Sequence, residues 1–378
     1  MLHILHFADL HLDASFASSH LSASIGSARR ADLRVTLGRI LSIARERQVD
    51  AVTIAGDLYE QEYALPDTAD FLVQQFAKLA PIRVFIAPGE HDPYTSDSLY
   101  ALARWPENVT VFSQGQFSAI DVASGIHLWG AAHPPARGYK TLDSFHADGS
   151  GVNLLLLHAS DTEQSHMGDE TLFSLDSASV RQAGFDFALL GHQHNGRTWP
   201  KDKPCCVYPG SPEPLDPDEA GEGHHVVLLT IETDRRAIKL LPVNQWHYFS
   251  LNVDLTGCES ADEAARVIEQ ALQALPCVNE RSVCRVALTG VPDFDLGIEA
   301  LAEQVQAKAH IRFEIRRSFP YNLDQLAQEQ TVRGLVVRRF QARLRDVSED
   351  KQRRLASNTL ILALRALNGR QVRDDEID

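Results

Sequence analysis

Leu2-His3-Ile4-Leu5-His6-Phe7-Ala8-Asp9-Leu10-His11 opens the chain and decides how the rest is read. A short, mostly apolar run, of the kind that forms a strand buried on both faces, stops abruptly at Asp and His. The same punctuation recurs four times. Ala51–Ala55 runs into Gly56-Asp57, and Arg83–Ala87 into Pro88-Gly89-Glu90-His91-Asp92. The run 153–157 is followed by His158, and 186–190 by Gly191-His192-Gln193-His194. Between them lie helical patterns. Leu33, Leu37, Ile40, Leu41 and Ala44 recur at helical spacing over roughly 31–48. Phe71, Leu72, Phe76 and Leu79 do so over 67–79, with Asp67 as N-cap or first-turn residue. Strand alternating with helix predicts an α/β domain. In such sheets, sites form beyond the carboxyl ends of the strands, so the five strand ends can converge on one point.

Taken singly, each ending has an ordinary explanation. Asp-x-His after a strand is usually structural, Gly-Asp is a common turn, and His158 suits a polar strand end. Five agreeing endings are better explained by one metal centre. A mixture of carboxylates and imidazoles suits Mn²⁺, Fe²⁺ or Zn²⁺, whereas Mg²⁺ and Ca²⁺ prefer all-oxygen shells. The ligands outnumber the needs of one tetrahedral ion, which points to two. Two divalent ions about 3.5–4 Å apart can activate a water and clamp phosphoryl oxygens.

The composition narrows the function classes. The 378 residues carry 36 Lys+Arg and 51 Asp+Glu, a net charge of −15, which excludes coating of nucleic acid or an anionic membrane by bulk charge. The charge is uneven: residues 1–244 hold 18 basic and 31 acidic side chains, or −13, while 331–373 hold 11 and three, or about +8. No apolar run approaches a membrane span, and Asp9 interrupts the stretch where a signal peptide would be apolar. The five cysteines are an odd number and form no CxxC, so reduced thiols in a cytoplasmic protein are expected.

Three segments are expected. Residues 1–245 form the α/β body, with further strands at Val109–Phe112, His127–Trp129 and His225–Ile231 at the sheet edge or in a second sheet. The pattern changes at 232–247. Residues 246–318 read as a small α+β cap: strand Tyr248–Leu255, helix 262–274, strand Ser282–Leu288, helix 297–309 and strand Ile311–Arg316. Residues 319–378 read as a basic, apolar helix pair, 323–346 and 349–368, that needs a packing surface. Residues 134–150 read as a surface loop, His3 and His6 as strand residues, and His224-His225 as the start of a strand.

Asp9-Leu10-His11, Gly56-Asp57, Gly89-Glu90-His91-Asp92, His158 and Gly191-His192-Gln193-His194 resemble the motif set of the calcineurin-like metallophosphoesterases. His6–Asp13 and Pro88–Tyr94 resemble, more narrowly, the bacterial DNA-repair exonuclease branch, whose relatives are the SbcD nuclease and the meiotic-recombination nuclease subunits. The resemblance implies a four-layer αββα sandwich with a cap and C-terminal helices. It implies one metal, Mn²⁺ foremost, on Asp9, His11, Asp57 and His194. A second would sit on Asp57, Glu90, His158 and His192, with Asp57 bridging. His91 would stabilise the transition state or protonate the leaving oxygen, and Asp92 would orient His91. DNA would be the substrate, and residues 323–368 would dock an SMC-like ABC ATPase. Segments 12–34 and 61–79 are candidates for a homodimer contact.

Two positions depart from that pattern. Glu90 stands where the family usually has Asn, adding negative charge and lowering the Lewis acidity of the centre. Glu60 stands three residues after Asp57, where the related nucleases often carry a His tied to exonuclease action. Two alternatives share the same centre: a small-molecule phosphodiesterase or nucleotidase, and a degenerate metal-binding regulatory subunit.

Overall fold

β1 (Leu2–Phe7) is the middle of the first sheet, and the computed structural model builds the site outward from it. The structure describes all residues except 17–21, 134–140, 144, 148–150, 163–172, 222, 233–235, 291, 293–296, 317–320, 322, 346–349 and 370–378. The chain divides into two compact units, Met1–Tyr248 and Phe249–Asp378.

In the first unit β1 is followed by β2 (Ala51–Ala55), β3 (Arg83–Ala87), β4 (Val109–Val111), β5 (Ser118–Ala123) and β6 (Ile126–Gly130). Then come β7 (Val152–Asp161), β8 (Phe173–Leu175), β9 (Phe187–Gly191), β10 (Arg197–Trp199), β11 (Cys206–Tyr208), β12 (His225–Ile231) and β13 (Arg236–Pro242). One sheet has the order β13-β12-β1-β2-β3-β4; β1 to β4 run parallel, and β12 joins β1 antiparallel. The other has the order β10-β11-β9-β7-β6-β5, with β8 paired to β7. The helices are α1 (Ala23–Glu46), α2 (Pro66–Ala77), α3 (Leu99–Leu102) and α4 (Ser177–Gln182).

The alternation of side chains along each strand sorts these elements into layers. Leu5, Phe7, Val52, Ile54, Val84 and Ile86 face Leu33, Leu37, Ile40 and Leu41 of α1 and Leu72 and Phe76 of α2. The opposite faces, with Ile4, Ala51, Ala55, Phe85 and Ala87, pack on Leu154, Leu156, Phe187 and Leu189 of the second sheet. The far face of that sheet, with Leu155, Leu157, Ala188 and Leu190, packs on Val180 of α4 and neighbouring loops. The result is the expected helix–sheet–sheet–helix sandwich. The central strands have apolar residues at successive positions because each is buried on both sides.

Several boundaries differ from the sequence reading. α1 begins at Ala23 rather than near 31, because the Ser22 hydroxyl caps Ile25 N at 3.4 Å. Helix 67–79 starts at Pro66, where a proline costs no hydrogen bond, and Asp67 sits in its first turn. β7 continues past 157 to Asp161, so His158 lies within the strand rather than after it. Residues 232–247 hold β13, which pairs along the whole length of β12, so the first unit extends to Tyr248. Of the loop read at 134–150, residues 134–140, 144 and 148–150 lie outside the described residues.

From Phe249 on, the second unit holds most of β14 (His247–Asp254), which forms a three-stranded sheet with β15 (Ser282–Thr289) and β16 (His310–Ile315), β15 and β16 being parallel. α5 (Ala261–Gln273) buries Ala264, Ile268 and Leu272 against Cys284, Val286 and Leu288 of β15. α6 (Ile298–Gln304) ends five residues short of the expected 309. The helix expected over 323–346 is two, α7 (Leu323–Gln328) and α8 (Val332–Arg345). The break falls where the Thr331 hydroxyl accepts Gly334 N at 3.1 Å, a capping contact that starts a new helix. α9 (Asp350–Leu367) contributes Leu360 and Leu364 to a small core with Leu326 and Val337. Among the described residues no helix is long and apolar enough to cross a membrane.

Candidate metal centre

The five strand ends do converge. Asp9 N donates to Gly56 O at 3.1 Å, and His11 N donates to Asp57 O at 2.9 Å, lacing the ends of β1 and β2 together. The β7–β9 register sets His158 beside Gly191, so His192 follows directly. The backbone bends sharply at these positions: Asp9, His11, Asp57 and His192 have φ of 54°, 50°, 50° and 106°. Left-handed conformations at non-glycine residues cost on the order of 1–3 kcal/mol each and cluster at functional sites. Gly56 and Gly89 lie against one another here. A Cβ on Gly89 would collide with the Asp57 carboxylate and sit 2.9 Å from His158 Nδ1.

The side chains form overlapping groups whose potential ligand atoms lie within 4.8 Å of one another. Asp9, His11 and His194 make one, and Glu90, His158 and His192 make another. Asp57 links them, with Oδ2 3.7 Å from His11 Nε2 and 3.4 Å from His158 Nε2. All seven residues expected as ligands are thus brought together, with Asp57 lying between the two groups.

The protonation pattern fits a cation. His11 Nδ1 lies 2.7 Å from Glu60 Oε1, His158 Nδ1 2.9 Å from Ala55 O, and His194 Nδ1 2.8 Å from Glu219 Oε1. Each partner is an acceptor that takes a proton from Nδ1, which leaves Nε2 as the nitrogen available to a ligand. Nε2 of both His11 and His158 is buried with no hydrogen-bond partner. Two unpartnered buried nitrogens facing a buried carboxylate are the arrangement a metal ion satisfies. Burial, reinforced by the Asp57 charge, pushes the Asp9 carboxyl well above the ordinary range even against the pull of His194. A divalent cation would keep it ionised.

His91 stands apart at the rim. Its side chain is 47% exposed, against 5% for His11 and 0% for His158. It also falls in a group with His11 and Asp57, and His91 N donates to Asp57 Oδ1 at 2.9 Å. Its Nδ1 lies 3.0 Å from Glu60 Oε2. That hydrogen bond, working against partial burial, raises the pKa of His91 to about 9. Burial opposes ionisation of Glu60, but the hydrogen bonds from His11 and His91 bring its pKa down to about 2.

The role expected of Asp92 is corrected. Asp92 is fully buried and accepts from Asp57 N (3.0 Å), Gly89 N (2.6 Å), Leu58 N (2.7 Å) and the Tyr100 hydroxyl (2.6 Å). It shapes the turns that carry the ligands, and Glu60 is the group that orients His91. Glu219 escaped the sequence reading. It lies 25 residues beyond His194 in a Pro-rich segment with no motif around it, and only folding returns it to the site.

Residues 2–196 match the family model described as calcineurin-like phosphoesterase. The chain belongs to that family. The seven side chains of the ligand cluster just described all lie within the matched residues. The chain is 26% identical over 246 residues to the uncharacterized metallophosphoesterase YhaO of Bacillus subtilis (strain 168), an alignment covering 61% of this chain and 58% of that protein. The chain therefore spans under two thirds of that relative's length. The crystal structure of TT1561 from Thermus thermophilus aligns with 63% of this chain and 98% of its own, at 12% identity and a TM-score of 0.39.

Proposed function

We propose that this phosphoesterase hydrolyses DNA phosphodiesters, as the nuclease subunit of a cytoplasmic DNA-repair complex with an SMC-like ABC ATPase. The observation that carries the proposal is His91: an exposed imidazole held protonated by Glu60 at the rim of a buried ligand cluster. A phosphodiester of DNA expels an alkoxide, a poor leaving group that needs a proton as its bond to phosphorus breaks. The narrower resemblance of His6–Asp13 and Pro88–Tyr94 to the DNA-repair nucleases supports DNA over other diesters.

Asp9, His11, Asp57 and His194 would hold one metal, and Asp57, Glu90, His158 and His192 the other, with Mn²⁺ the ion proposed. Bound divalent ions supply Lewis acidity toward phosphoryl oxygens. The remaining work belongs to the protein. Asp92 fixes the turns bearing Asp57 and Gly89, Glu60 holds the His91 ring, and His91 donates to the departing oxygen. The ATPase proposal draws on the second unit, where Val332, Leu335, Leu355 and Leu367 are exposed on basic helices.

The test is Mn²⁺-dependent cleavage of a defined DNA hairpin by the purified protein, compared with His91→Ala. Turnover of a chromogenic phosphodiester and of nucleotides with the hairpin left intact would reassign the substrate to small molecules. Activity on DNA that appears only with Glu90→Asn would mark the wild type as a degenerate centre.

A further inference from the structure

The imidazoles of the centre are not braced alike. On the Asp9 side, His11 is held by the Glu60 carboxylate at 2.7 Å and His194 by the Glu219 carboxylate at 2.8 Å. On the other side, His158 is held by the neutral carbonyl of Ala55 at 2.9 Å. His192 Nδ1 lies 3.2 Å from Glu90 Oε1, a group that itself belongs to the same ligand set. A carboxylate on the outer nitrogen makes an imidazole a stronger donor, and a neutral carbonyl does so less.

We propose that Glu219 is a positioning residue for His194 and that, with Glu60, it makes the Asp9/His11/His194 position the tighter of two unequal metal sites. Glu219 is itself built in. It is 7% exposed, and its Oε2 accepts the Ser211 hydroxyl at 2.9 Å and Leu215 N at 3.1 Å. The segment between is anchored at its middle. Glu213, 1% exposed, accepts the Thr36 hydroxyl of α1 at 2.6 Å, Gln245 N at 2.8 Å and Trp246 N at 3.1 Å. Arg29 of α1 donates to Pro214 O next to it. A carboxylate this firmly placed fixes both the tautomer and the direction of the His194 ring.

The inference rests on the dinuclear reading of the centre and is independent of DNA as substrate. The experiment is calorimetric titration of metal-free full-length protein with Mn²⁺, with the free ion followed by electron paramagnetic resonance. Wild type is expected to show two classes of site, the tighter removed by His194→Ala and the weaker by His192→Ala. Glu219→Gln keeps an acceptor but removes the charge, and should weaken the tighter class about 10-fold. Glu219→Ala should weaken it by up to ~100-fold. The weaker class should stay unchanged, whatever melting temperature the metal-free Glu219→Ala protein loses as the Ser211 and Leu215 donors lose their acceptor. Two equal classes in wild type would overturn the inequality, as would Glu219 variants that spare both classes or weaken the class removed by His192→Ala. A fall in metal-free melting temperature with both classes weakened would reduce Glu219 to a structural role. A wild type that takes up no divalent ion would remove the dinuclear reading itself.

Discussion

Glu60 sets one carboxylate oxygen 2.7 Å from Nδ1 of His11 and the other 3.0 Å from Nδ1 of His91. A single side chain thus orients a buried imidazole and an exposed one together. Substituting His91→Ala should lower kcat by about 10²–10⁴-fold, the range for losing a general acid, while bound metal stays the same. Steady-state rates on a diester and metal analysis of the same sample check both halves.

The pairing also sets a pH dependence. The Glu60 hydrogen bond raises His91 to about 9 against partial burial, so the protonated form persists through neutrality and is lost as pH rises past about 9. Removing the charge with Glu60→Gln should shift the alkaline limb of the kcat profile downward, toward the ordinary His value of about 6.5. A limb unmoved by the substitution would separate His91 from proton donation.

Asp92 has four hydrogen bonds, three of them from backbone N–H groups of the ligand-bearing turns. In Asp92→Asn an amide NH₂ must face a donor. Leaving a buried donor unsatisfied costs on the order of 1–3 kcal/mol. Urea unfolding of the metal-free protein should show a loss of that size, and metal affinity should fall with it as the turns loosen.

Gly89→Ala would drive a methyl group into the Asp57 carboxylate. Asp57 is the link between the two ligand groups, so its displacement should cost ~10²-fold or more in activity, the effect of misplacing a reacting group by about 1 Å. Metal content per chain, measured after dialysis, should fall as well. Retention of full activity would show that the turn can yield.

His6 lies between the two sheets. Its Nε2 donates to Leu190 O at 3.2 Å, which leaves Nδ1 to accept the Thr53 hydroxyl at 3.1 Å. Burial, only partly offset by those bonds, lowers its pKa to about 4. The unfolded chain takes up a proton that the folded protein refuses, so this stability is complete above about 6.5 and is lost as pH falls toward about 4. A shift of that size is worth about 3 kcal/mol. Unfolding measured across that window should be steeper for wild type than for His6→Gln.

Much of this was legible in the residues themselves. Runs such as Ala51–Ala55 and Phe187–Gly191 are apolar at nearly every position, which marks strands covered on both faces, and each is followed at once by its chemistry. Position marked Asp9, His11, Asp57, Glu90, His158, His192 and His194 among the strand-end residues, the family resemblance singled them out as ligands, and the structure gathers all seven. The braces were not legible. Glu60 read as a departure from a pattern, Asp92 as a partner of His91, and Glu219 did not register. Motifs record what stands at a strand end, and these roles depend on which side chains meet across loops.

The family resemblance implied the sandwich, and the sequence by itself determined the alternation of strand and helix and the side chains that stand at the strand ends. Those follow from local periodicity and from residue types at chain positions already fixed by strand ends. Tertiary structure alone decided the hydrogen bonding of the centre. The Ala55 carbonyl comes to His158 from 103 residues away and Glu60 to His11 from 49, and Glu219 returns to His194 across 25. Hydrogen bonds between residues so far apart form only once both sheets have packed. Which imidazole nitrogen keeps its lone pair, and how strongly it donates, is therefore a property of the folded chain.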